Sequence, residues 1–298
     1  MAPSRTRALK TTWLATQITG RISARLSEPF VARLWFTPWP VPIGERGIAK
    51  QHEWLRPTKR IALESRLGPI VGFEAGEGPV VLLVHGWGER GSFLGAFIEP
   101  LVDSGFRVVG VDLPGHGDSS WRRTNIFEWV DALIDVADEL GGVHAVVAHS
   151  MGGGVTTLAL NRGLEVDAVA LIAPPSDIEN VVKTFSFMFR LPTRAIAGLR
   201  RYIDRHFGKT VWDELMIHHH VAELDVPALI VHDEDDAQVK IDESRVLADL
   251  WRGSRLLTTS GLGHDKIMRD PDIVAAVITF LKNAAKSNGR LLPAGSPT

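Results

Sequence analysis

Eight short apolar runs, at residues 60–65, 69–74, 79–85, 107–112, 143–149, 167–172, 226–232 and 255–259, constrain the fold of this chain more than any other feature. Several are nearly continuous aliphatic, as in Val80-Val81-Leu82-Leu83-Val84, and leave no polar face for solvent. A strand of that kind is buried on both sides. Between the later runs lie stretches with helical apolar spacing: Ile126, Trp129, Leu133, Val136 and Leu140 follow Asn125 and Glu128, which are placed as a capping box. Asp270-Pro271 opens a last helix with Val274, Val277, Ile278 and Leu281 on one face. This alternation predicts an α/β fold, a mostly parallel central sheet flanked by helices.

The alternation breaks twice. Residues 1–58 form a helical extension that Pro38-Trp39-Pro40-Val41-Pro42 interrupts, and Trp35, Phe36 and Trp39 are expected to pin it to the body. Residues 174–225 exceed an ordinary connection and read as a helical cap or lid between core segments 59–173 and 226–286. The aromatic residues there either fill a small core of their own or close over a site. The Ser/Gly/Pro-rich segment 287–298 reads as a flexible tail.

A hydrophobic fraction of 45% over 298 residues supports an ordinary core, and a net charge of −2 gives no global reason for nucleic-acid binding. The absence of cysteine removes disulfides, thiolate metal sites and a cysteine nucleophile, and makes the cytoplasm the default expectation. No apolar run approaches the ~20 residues a spanning helix needs. The first 35 residues carry Arg5, Arg7, Lys10, Arg21, Arg25 and Arg33 against Glu28 alone. That bias admits a membrane-surface helix or targeting peptide, although solvated helices docked on the main domain are the plainer reading.

The run 143–149 ends in Ala148-His149-Ser150-Met151-Gly152. A serine on a sharp strand-to-helix turn projects its hydroxyl above the sheet, provided that the residues two before and two after are small; Ala148 and Gly152 meet that need. Such a serine requires a base, and the base requires an orienting acid, both expected at later strand ends. His264 lies in the Gly-rich turn Ser260-Gly261-Leu262-Gly263, and Asp233, Glu234, Asp235 and Asp236 compete as the acid. An oxyanion also needs backbone donors; the turn His85-Gly86-Trp87-Gly88 offers the Trp87 amide, to be paired with that of Met151. Gly86, Phe185 and Met188 are candidate pocket residues. His85 and His116 read as loop braces, and His149 as packing beneath the turn. His218-His219-His220 lacks the i,i+4 spacing of a helical metal site, and residues 233–236 lack the spacing of a calcium loop, so neither metal nor cofactor is expected.

Ala-His-Ser150-Met-Gly-Gly, His85-Gly86-Trp87-Gly88, Asp112-Leu-Pro-Gly-His-Gly-Asp-Ser119 and Gly263-His264 together resemble the α/β-hydrolase superfamily, over roughly residues 60–285. The Trp35-Phe36-Thr37-Pro38 stretch resembles a bacterial subgroup of these hydrolases. The resemblance implies a serine-histidine-acid triad and an oxyanion hole after His-Gly. Its acid pattern, laid on His232 to Val239, selects Asp236, with Asp235 next. The expected activity is hydrolysis of small carboxylic esters with short to medium acyl chains. Thioester, lactone or carbon–carbon hydrolysis and acyl transfer would use the same residues, and an idle scaffold is the rival from another class. Oligomeric state is not legible.

Overall fold

The computed structural model describes residues 3–119 and 123–287. Its centre is an eight-stranded sheet of β1 (Lys59–Leu63), β2 (Ile70–Ala75), β3 (Val80–Val84), β4 (Arg107–Val111), β5 (Ala145–His149), β6 (Ala168–Ile172), β7 (Ala228–Asp233) and β8 (Ser254–Thr259). The order across the sheet is β1-β2-β4-β3-β5-β6-β7-β8; β1 and β2 pair antiparallel, as do β2 and β4, and the rest are parallel. Every residue of β3, β5, β6 and β7 is buried; β3 and β6 are aliphatic throughout, and β5 and β7 are aliphatic up to the polar residues at their carboxyl ends, His149 and His232-Asp233.

Side chains alternate between the two faces of each strand, and the sequence fills both. Leu82, Val84, Val109, Val146, Ala148, Val169 and Ile230 face one core, packed with Trp129 and Leu133 of α5 (Ile126–Glu139), Val155 of α6 (Met151–Asn161) and Leu247 of α10 (Ile241–Leu250). Val81, Leu83, Val108, Val147, Ala170 and Val231 face the other, packed with Leu101 of α4 (Ile98–Asp103) and Val277 and Leu281 of α12 (Pro271–Ser287). Burying each such side chain contributes about 1.5–3 kcal/mol relative to leaving it in water. The expected caps form: the Asn125 side chain accepts from the Glu128 amide at 3.1 Å, and Asp270 accepts from the Asp272 amide ahead of α12 at 3.1 Å. Of the tail assigned to 287–298, Ser287 closes α12 and the remainder lies outside the described residues.

Three helices precede the sheet: α1 (Pro3–Ile22), α2 (Ala24–Trp35) and α3 (Glu45–Leu55). Between β6 and β7 the chain forms α7 (Ile178–Met188), α8 (Thr193–Phe207), α9 (Val211–Glu214) and two 3₁₀ turns; the short α11 (Gly263–Lys266) follows β8. The α1–α2 hairpin lies on this insertion. At the crossing a Cβ on Gly20 would come within 2.8 Å of Ala195 Cβ, and one on Gly198 within 2.6 Å of the Ala24 carbonyl. Trp13 Nε1 donates to the Phe189 carbonyl at 2.9 Å, Gln17 Nε2 to the Phe189 and Arg190 carbonyls at 3.0 Å, and Arg205 pairs with Glu28. The aromatic residues expected to pin the extension to the body mainly meet the insertion instead. Trp35 packs edge-on against Phe185 at 4.8 Å, Phe36 against Tyr202 at 5.8 Å and Trp39 against Phe189 at 5.1 Å. Apolar surface on one appended element is thus covered by apolar surface on the other. The body is held by backbone bonds, from Thr124 N to the Phe36 carbonyl and from Val41 N to the Gly88 carbonyl, each 2.9 Å.

Candidate active site

Ser150 stands between β5 and α6 with φ 51°, ψ −125°, in a region that a non-glycine residue occupies only at a cost of order 1–3 kcal/mol. The turn is fixed by hydrogen bonds from Ser150 N to the Ile172 carbonyl and from Gly153 N to the Ser150 carbonyl, both 2.8 Å. Its glycine is sterically required: a Cβ on Gly152 would lie 2.6 Å from the His85 carbonyl and 2.7 Å from that of Val84, so α6 rests directly on the end of β3. Because β3 and β5 are parallel neighbours, the His85–Gly88 turn emerges beside the serine, where a Cβ on Gly86 would be 3.0 Å from Ser150 Cβ. Among the described residues the amides of Trp87 and Met151 have no protein acceptor, whereas the Gly86 amide is taken by Glu89 Oε2 at 2.8 Å.

The acid and the histidine come from the ends of adjacent strands β7 and β8. His264 Nδ1 lies 2.6 Å from Asp236 Oδ2, and both side chains are buried. The other Asp236 oxygen accepts the Gln238 and Val239 amides at 2.7 and 2.9 Å. Burial alone would raise this carboxyl; hydrogen bonds from His232 and His264, the charge of His264 and the Val239 amide outweigh it and hold Asp236 well below the usual carboxylate range. Its neighbours do other work. Asp235 is exposed and accepts the Gly261 amide at 2.8 Å, and Asp233 accepts the Thr259 hydroxyl at 2.7 Å and the Leu262 amide at 3.0 Å, so both anchor the loop that carries His264.

Ser150 Oγ forms no hydrogen bond with His264 in this structure. The link between the two elements runs through His149, whose ring centroid is 4.7 Å from that of His264 and whose Nε2 lies 3.1 Å from the His264 carbonyl. His149 Nδ1 is 3.0 Å from Glu89 Oε2, the same oxygen that holds the Gly86 amide. Both ring nitrogens therefore face acceptors, a pattern that only the imidazolium satisfies fully. Burial opposes charge on both groups, but their mutual attraction and hydrogen bond, with the His264 carbonyl and the Gly86 amide, dominate: His149 is raised and Glu89 lowered. One buried ion pair thus ties the His85–Gly88 turn to the histidine loop. Sequence reasoning missed Glu89 altogether and left His149 as packing. The available signal was a carboxylate three residues beyond Gly86 in a turn too apolar and glycine-rich to solvate it.

The two turn histidines brace loops. His85 Nε2 accepts the Leu113 amide at 3.0 Å, and His116 Nε2 accepts the Gly88 amide at 2.8 Å. His218, His219 and His220 turn to separate partners, the Ser176 carbonyl, Asp213 and the Glu214 carbonyl; among the described residues no cluster of three His, Asp or Glu side chains is placed to hold a metal ion. A narrow apolar crevice beside Met151 is lined by Val155, Leu158, Ile178, Val181 and Ile217. Of the candidate pocket residues, Gly86 adjoins Ser150, but Phe185 and Met188 do not line this crevice: Phe185 packs on Trp35, and Met188 is 61% exposed. Their helix turns that side toward the N-terminal hairpin and solvent.

The human protein ABHD12B is 26% identical over 228 residues, 68% of this chain, which spans only 60% of that relative's length. Non-heme chloroperoxidase CPO-A1 of Kitasatospora aureofaciens is 28% identical over 63% of this chain and 86% of its own. Among solved structures, an esterase from Exiguobacterium antarcticum superposes with a TM-score of 0.61 at 17% identity, covering 75% of this chain and all of that one. The model of the alpha/beta hydrolase family matches residues 81–277, from β3 into the first half of α12, and so takes in the His85–Gly88 turn, the Ser150 turn and the loop that carries His264. With a sheet of the same kind and its serine, acid and histidine loops at the carboxyl ends of the strands, this chain belongs to the alpha/beta hydrolase family.

Proposed function

We propose that the chain is a serine hydrolase of carboxylic esters with short to medium acyl chains. The observation that carries this reading is the buried 2.6 Å contact between His264 Nδ1 and Asp236, which fixes the imidazole tautomer and leaves Nε2 as the base. His264 takes the proton of Ser150 Oγ as the oxygen attacks the acyl carbonyl. The Trp87 and Met151 amides hold the developing oxyanion, and His264 returns the proton to the leaving alcohol. Water activated by the same imidazole then releases the acid from the acyl-enzyme. The open Ser150–His264 pair is compatible with this sequence of steps, because catalytic hydrogen bonds of free enzymes often tighten only when substrate binds. The side chains beside Met151, Val155, Leu158, Ile178, Val181 and Ile217, are aliphatic and favour an uncharged acyl group over a charged one. A fluorophosphonate probe should label the purified protein but not Ser150→Ala, and nitrophenyl ester turnover should peak at short to medium chains. Labelling without ester turnover would favour thioester, lactone or carbon–carbon chemistry at the same serine, and an unlabelled, folded protein would reject the hydrolase reading.

A further inference from the structure

We propose that the outer face of the α1–α2 hairpin docks on the surface of an anionic phospholipid bilayer. α1 is apolar on two opposite sides. One side, with Leu9, Trp13 and Thr16, faces the rest of the protein. The other presents Leu14, Ile18 and Ile22 at four-residue intervals, and Leu26 of α2 continues the row; these four are 53% to 63% exposed. A contiguous aliphatic row of this kind on a folded surface marks an interaction site. Beside it runs a groove of about 840 Å³ between the helices, floored by Ala8, Ala15, Pro29 and Phe30 with Arg7 and Arg33 on its walls.

Charge selects the occupant. Residues 1–44 contain one carboxylate, Glu28, against six arginines and lysines. Glu28 is buried and turned inward to Arg205 of the insertion, so it does not offset the outer face. Arg7, Lys10, Arg25 and Arg33 have no ion-pair partner among the described residues. The aromatic side chains that would anchor a protein partner, Trp13 and Trp35, are spent on the insertion. What faces outward is aliphatic surface flanked by long cationic side chains, the composition of a helix lying in a bilayer interface. Among the described residues no helix is long and apolar enough to cross a membrane, which leaves the hairpin lying on the surface. The site does not depend on the esterase reading, and Ser150→Ala should bind vesicles as the unaltered protein does.

The test is flotation of the full chain with phosphatidylcholine vesicles and with vesicles that also contain phosphatidylglycerol. Binding is expected only to the latter and should weaken as salt is raised. Ile18→Glu with Ile22→Glu should abolish it without moving the unfolding midpoint. Arg25→Gln and Arg33→Gln, which alter exposed side chains only, should each lower partitioning about fivefold and keep the test decisive if the glutamate variant fails to fold. Equal binding to both vesicle types, no binding, or variants that bind like the unaltered chain would overturn the proposal. So would self-association in light scattering that the Ile18/Ile22 change abolishes in a protein with no vesicle affinity; the face would then join two copies of the chain.

Discussion

Around Ser150 the ionisable groups are buried in hydrogen-bonded pairs, Asp236 with His264 and Glu89 with His149, whereas along the outer face of the α1–α2 hairpin the cations stand in solvent unpaired among the described residues. The difference teaches where charge has consequences. A buried charge is held in one geometry by the cost of leaving it without a partner, so each one positions a loop. An exposed charge costs little to leave alone and acts at a distance, on whatever approaches the surface.

The comparison can be broken first at the serine: Ser150→Ala should lower kcat/KM for a nitrophenyl ester by at least about 10⁴-fold with no loss of fold. Asp236→Asn should cost on the order of 10⁴-fold in kcat by presenting the wrong imidazole tautomer. Asp235→Asn, measured alongside, should stay within about threefold, because its carboxylate is exposed and only braces the Gly261 amide. Equal losses in the two would remove the distinction between them.

Glu89→Gln should destabilise the protein by about 3–5 kcal/mol in denaturant unfolding, by leaving His149 charged and buried without its partner. The pair also sets a pH signature. Glu89 is lowered from 4.5, so its contribution is present above that value and fades as pH falls through its folded pKa. His149 is raised from 6.5, so its contribution is complete below that value and is lost as pH rises through its folded pKa. Stability from the pair is therefore greatest between about pH 4.5 and 6.5 and declines on the alkaline side, a decline that the Gln variant should lose. The smallest effect is expected at the hairpin, where Trp13→Phe removes one hydrogen bond to the Phe189 carbonyl and should cost about 0.5–1.5 kcal/mol in thermal unfolding.

The strands and the serine turn were legible because each is a local pattern. Val80–Val84 can only be a strand buried on both faces, and Gly152 is small because α6 touches the end of β3. Residue chemistry alone left four neighbouring acids open, because the choice depends on which carboxylate the β7 turn aims at a loop 28 residues away; the acid pattern of the resemblance selected Asp236, and the structure brings that residue to His264. Glu89 and His149 escaped notice for the same reason, since neither shows in sequence which element it will meet. The aromatic residues of the extension were recognised as buried anchors, but their partners, Phe185, Phe189 and Tyr202, lie about 150 residues further along the chain.

Taken alone, the sequence determined the sheet, its flanking helices and the order in which serine, acid and histidine appear, because backbone hydrogen bonding and side-chain periodicity act over a few residues. Only the tertiary structure decided that a buried Glu89–His149 pair joins the His85–Gly88 turn to the histidine loop, and that the hairpin turns its single carboxylate inward and its cations out. Those outcomes depend on burial, and burial depends on what packs against each residue from distant parts of the chain.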